Sequence, residues 1–102
     1  MDLLGKNALV TGSGIRLGRA ISLALGKAGC NLALHYNSSL EPVNQVKTEL
    51  ESMGRIASIF HQDLEDISSV PELMSRVCDE FGHIDILINN AGIYPLGTGK
   101  GS

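Results

Sequence analysis

A run of small and polar residues from Thr11 to Gly18 has the composition of a loop that binds an anion. It follows the apolar run Ala8-Leu9-Val10 and leads into a segment with helical periodicity. A strand that ends in this way delivers the chain to a helix N-terminus, where unpaired N–H groups and the positive end of the helix dipole favour a phosphate. Glycines at positions 12, 14 and 18 let the backbone approach a ligand closely. The spacing predicts a nucleotide-binding loop, with a plain strand-to-helix turn as the alternative.

Short apolar runs and helical segments alternate along the chain and must position this loop. The predicted strands are the near-continuous apolar runs Ala8–Val10, Leu32–Leu34, Ile56–Phe60 and Ile84–Ile88. Between them lie three segments with helical periodicity, which Gly29, Gly54 and Gly82 are expected to end. Continuous apolar runs are typical of strands covered on both faces. The order predicts an α/β fold: an open, doubly wound, Rossmann-like parallel sheet with helices on both faces.

Each helix is predicted to cover the sheet with one apolar face. In the first helix this face comprises Leu17, Ala20, Ile21, Ala24, Leu25 and Ala28, with Arg19, Ser22 and Lys27 facing away. The second helix presents Val43, Val46, Leu50 and Met53, and the third presents Val70, Leu73, Met74, Val77 and Phe81. Ser69 is the expected N-cap of the third helix, with Glu72 three residues later, and Asp66 is the alternative cap.

Composition limits the classes of protein to which the chain can belong. With 102 residues, 43% hydrophobic residues and a formal net charge of -3, residues 1–102 are expected to form a single globular domain. The chain has no cluster of Lys or Arg, which argues against nucleic-acid or membrane-surface partners. It also lacks a long apolar run and a signal-peptide pattern, so a cytoplasmic location is expected. Cys30 and Cys78 are expected to be free thiols, and no metal site is predicted.

Three motifs resemble signatures of the short-chain dehydrogenase/reductase family. The first loop is similar to the family's T-G-x-x-x-G-x-G at Thr11, Gly12 and Gly18, and Arg16 replaces the middle glycine, as in pteridine-reductase-like members. Asp63-Leu64 follows the third predicted strand, and Asn89-Asn90-Ala91-Gly92 follows the fourth. The motifs stand in the family's order, and the resemblance extends from Asn7 to about Pro95.

The resemblance implies a role for each matching position. Gly12, Ser13, Arg16, Leu17 and Gly18 would surround the pyrophosphate and the adenosine ribose of a nicotinamide dinucleotide. Asp63 would bind the adenine amino group, with the backbone of Leu64 beside it. Asn89, Ala91 and Gly92 would hold the central strands and border the ribose and the nicotinamide. The alternative interpretation is that Asp63 and Asn89-Asn90 are turn residues.

The polar run after the second predicted strand bears on which cofactor binds. NAD-binding domains usually carry an acidic residue here, which binds the ribose hydroxyls and repels a 2′-phosphate. This chain has no acid before Glu41 and offers imidazole, hydroxyl and amide groups instead, at His35, Tyr36, Asn37 and Ser38. Arg16 lies close to the same position and can clamp a phosphate. The pattern predicts NADP(H) in preference to NAD(H). The alternative interpretations are that Arg16 is a solvated residue at the helix start and that the ring of His35 is hydrogen-bonded within the protein.

Residues that would perform the family's reaction are missing from this chain. Members reduce a carbonyl or imine with a Ser and a Tyr-x-x-x-Lys pair, but Tyr36 is followed at that spacing by Leu40 and Tyr94 by Thr98. No catalytic residue is therefore assigned, and the chain is expected to be the N-terminal half of such a reductase, truncated before its catalytic half. It should bind the cofactor without catalysing turnover alone.

Two further hypotheses and one consequence remain open. The alternative hypothesis is a non-catalytic nucleotide-binding or interaction module of the same fold. A flavodoxin-like or receiver-type domain is disfavoured, because such domains carry acidic residues where this chain has Thr11-Gly12-Ser13. The family's strand order, 3-2-1-4, would leave the fourth strand at an edge, with Ile84, Ile86 and Ile88 partly uncovered. A homo-oligomer, or marginal stability, is therefore expected.

Overall fold

The apolar runs form one parallel sheet in the computed structural model, which describes residues 3–64 and 69–90. Its strands are β1 (Asn7–Val10), β2 (Asn31–Tyr36), β3 (Ala57–His61) and β4 (Ile86–Ile88). Its helices are α1 (Arg16–Lys27), α2 (Leu40–Ser52) and α3 (Val70–Phe81). All the pairings are parallel, and the order is β3-β2-β1-β4. The predicted fold class and strand order are confirmed.

Helices cover both faces of the sheet, and each face holds its own apolar core. Because successive residues of a strand point to opposite faces, Ala8 and Val10 belong to one core and Leu9 belongs to the other. Further buried residues of the first core come from α2, which supplies Val43, Val46 and Leu50, and those of the second come from α3, which supplies Leu73 and Val77. Burial on both faces explains why the strands lack an alternation of apolar and polar residues.

The packed face of α1 differs from the predicted one. Its buried residues are Gly18, Ser22 and Gly26, whereas Leu17 is 58% exposed. Ser22 tolerates burial because its hydroxyl donates to the Gly18 carbonyl oxygen at 2.8 Å. A Cβ at Gly26 would overlap the Cδ2 methyl group of Leu50 on α2, so glycine favours this close approach of the two helices. The prediction is confirmed for Ile21 and Leu25, which pack against the core, and wrong for Leu17 and Ser22, because apolar periodicity does not count the small residues that let α1 pack closely.

Most of the predicted element ends are confirmed. The three helices end beside Gly29, Gly54 and Gly82, and α3 begins at Val70 after Ser69. The Ser69 hydroxyl, however, donates to the Asp63 carbonyl oxygen at 3.2 Å, so the expected side-chain cap is not formed. The β3 strand begins one residue later than predicted, and β4 is confined to three residues.

Candidate functional site

The carboxyl ends of the four parallel strands lie at one edge of the sheet, where the predicted motifs meet. Thr11 begins the glycine-rich loop there, and its N–H donates to the Ile88 carbonyl oxygen at 3.0 Å. Its hydroxyl lies 3.1 Å from Oδ1 of Asn89. Asn90 donates through Nδ2 to the Gly12 carbonyl oxygen at 3.2 Å. The asparagines after β4 therefore hold the start of the loop, which brings the first and third motifs together.

Gly12 and Gly18 make the closest approach within the loop. A Cβ at Gly18 would overlap the Gly12 carbonyl oxygen and would lie 2.9 Å from Nδ2 of Asn90. Gly12 itself has a φ of 60°, in the left-handed region that favours glycine. The turn into α1 therefore depends on glycine at both positions, which explains their spacing without reference to a ligand.

Arg16 is the first residue of α1 and has a φ of 53°. This conformation costs a non-glycine residue about 1–2 kcal/mol, which is consistent with the glycine that stands here in the family's loop. The side chain is exposed and forms no ion pair among the described residues. The first turn of α1 carries no acidic residue, so the guanidinium adds its charge to the positive end of the helix dipole.

A cavity of about 180 Å³ lies between the glycine-rich loop and the polar run after β2. The residues that line it are Gly12, Gly14, Ile15, Tyr36, Asn37, Ser38, Ser39 and Pro42. Four of the predicted site residues are among them, whereas Ser13, Arg16, Leu17, Gly18, Asp63 and Leu64 are not. No acidic residue lines the cavity, so its described wall would not repel an anionic group.

His35 lies beneath the loop and does not face this cavity. Its side chain is fully buried, its Nδ1 lies 3.0 Å from the Gly12 nitrogen, and its Nε2 lies 2.7 Å from the Gln62 carbonyl oxygen. The His35 carbonyl oxygen also accepts hydrogen bonds from the Ser13 N–H at 3.0 Å and from the Ser13 hydroxyl at 2.9 Å. The expectation that this imidazole donates to a phosphate is corrected, because both ring nitrogens already have partners inside the protein.

The residues after β2 are held to the end of β3. The Asn37 carbonyl oxygen lies 3.0 Å from Nε2 of His61, and its Oδ1 accepts from the Leu64 N–H at 3.2 Å. The rings of Tyr36 and His61 pack with their centroids 5.0 Å apart. Sequence reasoning missed His61. The only available signal for it was its place at the end of the third strand, where the register pairs it with Tyr36. It also left out three residues of the cavity wall, namely Ile15, Ser39 and Pro42, whereas Gly14 was expected as one of the loop glycines.

Other predicted site residues lie at the same edge or outside the described ranges. Asp63 is exposed after β3, Leu64 is half-buried, and Asn89 is exposed after β4. Ala91 and Gly92 lie outside the described residues. Residues 3–64 and 69–90 contain no cluster of His, Cys, Asp and Glu able to hold a metal ion. Cys30 and Cys78 are free thiols, as predicted; Cys30 is buried, whereas Cys78 is only half-buried. No described helix is both long enough and apolar enough to span a membrane.

Comparison with known proteins agrees with this arrangement. Residues 6–101 match the family model described as short chain dehydrogenase. Versicolorin reductase stcU of Emericella nidulans is 40% identical over 96 residues, which are 94% of this chain and 36% of that protein. Hydroxynaphthalene reductase-like protein Arp2 of Metarhizium anisopliae is 38% identical over 91 residues, 89% of this chain and 34% of that protein. The chain thus spans about a third of the length of these curated relatives.

Solved structures show the same fold over nearly the whole chain. A short chain dehydrogenase from Burkholderia cenocepacia in complex with NADP superposes with a TM-score of 0.85 and 39% identity, covering 95% of this chain and 40% of that one. Acetoin dehydrogenase from Enterobacter cloacae superposes with a TM-score of 0.81 and 28% identity, covering 90% of this chain and 36% of that one. The family's members are oxidoreductases that bind a nicotinamide dinucleotide. The match over residues 6–101, the shared fold and the three motifs at one sheet edge together establish that this chain belongs to the short-chain dehydrogenase/reductase family.

Proposed function

We propose that the chain is the NADP(H)-binding portion of a short-chain oxidoreductase that reduces a carbonyl or imine group. The observation that carries the cofactor choice is the cavity wall, which has no acidic residue and includes Ile15, the chain neighbour of the exposed Arg16. The relatives named as reductases and the Burkholderia structure with NADP bound support the same assignment. Residues in the rest of a longer protein would supply the reacting side chains, and this portion would bind and orient the cofactor.

The residues present fit such a cofactor. The close approach of Gly12 and Gly18 leaves backbone where a side chain would otherwise stand, beside the first N–H groups of α1, which have no carbonyl partner within the helix. Those groups would hold the pyrophosphate, and Arg16 would pair with the 2′-phosphate. Ser38 and Tyr36 line the wall and would donate to the same phosphate. The bound nicotinamide would supply the hydride, and Asp63 and Asn89 would border the adenine and nicotinamide ends.

Arg16 offers the sharpest test of this assignment. Titration of the chain with NADPH and with NADH at matched ionic strength, in a buffer without phosphate, should show tighter binding of NADPH. We expect Arg16→Ala and Arg16→Gly to reduce that preference by about 10- to 100-fold, the size of one charge-assisted hydrogen bond. The two variants remove the same charge, but only glycine relieves the strain at a φ of 53°. Equal losses would therefore assign the preference to the guanidinium.

Arg19→Ala is the matched control, because Arg19 lies on the same helix but is already paired with Glu49 at 2.7 Å. It should leave the ratio of the two affinities unchanged. An Arg16 variant that keeps the full preference for NADPH would contradict the proposed phosphate site. Binding of neither cofactor by a folded chain would contradict the proposed function, and turnover by residues 1–102 alone would contradict the assignment of a purely binding role.

Self-association through β4 is also proposed, with a second copy of this chain as the occupant of the edge. Within the described residues β4 pairs only with β1, Leu87 is 40% exposed, and Ile86 and Ile88 are half-buried. Edge strands of this kind promote pairing between chains. We expect Leu87→Lys to shift sedimentation towards the monomer, and Ile56→Lys, at an exposed position directly before the opposite edge strand β3, to have no such effect. A wild-type chain that stays monomeric at high concentration would refute the proposal.

The expected cytoplasmic location stays a prediction.

A further inference from the structure

The buried ring of His35 connects two segments that border the candidate site. On one side it meets the N–H of Gly12, the first glycine of the loop, with 3.0 Å between the nitrogens. On the other side its Nε2 lies 2.7 Å from the Gln62 carbonyl oxygen, just before Asp63. The ring is fully buried although a histidine is polar. Its two contacts account for this burial, since each ring nitrogen has a hydrogen-bonding partner.

These two contacts determine the protonation state of the ring. A backbone N–H can only donate, so Nδ1 must accept from Gly12 and carries no proton. Nε2 faces a carbonyl oxygen and therefore carries the proton that it donates to Gln62. The structure thus requires the neutral Nε2–H form. A second proton would reside on Nδ1 and point at the Gly12 N–H, where two donors cannot bond to each other.

The groups around the ring also favour the neutral form. Burial is the main cause that lowers the pKa of His35 below 6.5; the hydrogen bond to Gln62 raises this pKa by less than burial lowers it, and the electrostatic effects of His61 and Arg76 lower it further. The elements packed around the ring carry further charged groups: Arg16 at the end of the loop, Asp63 after β3, and Glu72 on α3. Glu72 and Arg76 are both bound to the Gln62 side chain, at 3.1 Å and 2.8 Å.

We propose that His35 is a positioning residue that holds the glycine-rich loop in its cofactor-binding form only while its imidazole is neutral. The inference rests on the proposed function and adds a regulatory consequence to it. Protonation would break the bond to Gly12, the residue whose carbonyl oxygen packs against Gly18 and is held by Asn90. The start of the loop would lose one of the hydrogen bonds that hold it, and the N-terminus of α1 would shift from its cofactor-binding position.

The direction of the pH effect follows from the lowered pKa. A histidine whose pKa is lower in the folded state favours folding above its unfolded value, near 6.5, and this contribution is lost as the pH falls through the folded value. We therefore expect the affinity for NADP+ to weaken on acidification by about threefold or more beyond the effect of the cofactor's own phosphate, from the loss of one hydrogen bond. Calorimetric titration with NADP+ between pH 8 and pH 5 measures it.

Two variants separate positioning from bulk packing. An asparagine amide places its oxygen near the position of Nδ1, so His35→Asn can keep the bond to Gly12 but cannot gain a charge. We expect it to bind NADP+ nearly as well as the wild type at pH 8 and to show a flatter pH dependence. His35→Gln reaches instead towards the Nε2 position and should bind weakly at every pH. A wild-type slope no steeper than that of His35→Asn would overturn the proposal.

A measurement without cofactor distinguishes failure of this inference from failure of the proposed function. Nitrogen-15 NMR of the chain should show the Nε2–H form of His35, and the Gly12 amide shift should change with the same midpoint as the ring on acidification. If NADP+ does not bind at any pH, the proposed function fails while this NMR result still tests the coupling. A proton on Nδ1 at pH 8, or a Gly12 amide that does not follow the ring, would overturn the inference.

Discussion

Replacing Gly18 by alanine is expected to weaken NADP(H) binding by about 10- to 100-fold, which corresponds to the free-energy cost of an overpacked site. The added methyl group would overlap the Gly12 carbonyl oxygen, which is backbone and cannot rotate away as a side chain can. To relieve this overlap the loop must move away from the end of β4, because Asn90, directly after that strand, donates a hydrogen bond to the same oxygen at 3.2 Å. Titration with NADPH, with circular dichroism to verify the fold, measures the effect.

Gly54→Ala provides a matched control for this result. A Cβ at Gly54 meets no atom within 4 Å, and the residue lies after α2, outside the cavity wall. Its φ of 83° makes alanine cost about 1 kcal/mol of stability without touching the loop. We expect Gly54→Ala to lower the unfolding midpoint and to leave NADPH affinity unchanged. Wild-type affinity in Gly18→Ala would show that the loop does not need this close contact.

Asn7→Ala should destabilise the fold by about 2–4 kcal/mol, because it removes a group of hydrogen bonds at the amino ends of the strands, opposite the candidate site. The Asn7 side chain is 7% exposed and donates to the carbonyl oxygens of Phe81 and His83, at 3.3 Å and 3.1 Å. It also accepts from Nδ2 of Asn31 at 3.2 Å. These contacts tie β1 to the segment that enters β4, so their loss removes a hydrogen-bond donor from the partly buried carbonyl groups of Phe81 and His83. Urea unfolding measures the loss.

Asn44→Ala is the control for Asn7, because it makes the same chemical change at an exposed position of α2. Alanine is the better helix former, so the midpoint should stay constant or rise slightly. If Asn7→Ala unfolds at the same urea concentration as the wild type, these hydrogen bonds contribute no net stability.

The sequence predicted the fold well because its signals are local. Continuous apolar runs mark strands buried on both faces, and glycines mark the helix ends beside Gly29, Gly54 and Gly82. Parallel strands then bring their carboxyl ends to one edge, and this arrangement is why Thr11, Asn89 and Asn90 lie together. The same argument found part of the cavity wall, through Tyr36, Asn37 and Ser38.

Contacts between segments distant in the chain could not be predicted in this way. The α1 face was predicted only in part, because Gly18, Ser22 and Gly26 are small, and closeness of packing, not apolar character, decides their burial. His61 reaches the site only because the register of β2 and β3 places it opposite Tyr36.

The sequence by itself determined the order of strands and helices, the position of the glycine-rich loop and the absence of an acid in the run after β2. Only the tertiary structure decided what His35 does. Its residue type is compatible with a phosphate ligand and with an internal bridge, and the sequence does not say which groups will face its two nitrogens. The Gly12 N–H and the Gln62 carbonyl come from segments on either side of β2, and their meeting at one ring depends on the packing of three strands. A buried polar ring forms hydrogen bonds with the groups that packing places beside it. Leaving its nitrogens unpaired in the protein interior would cost more free energy than local conformational preferences contribute.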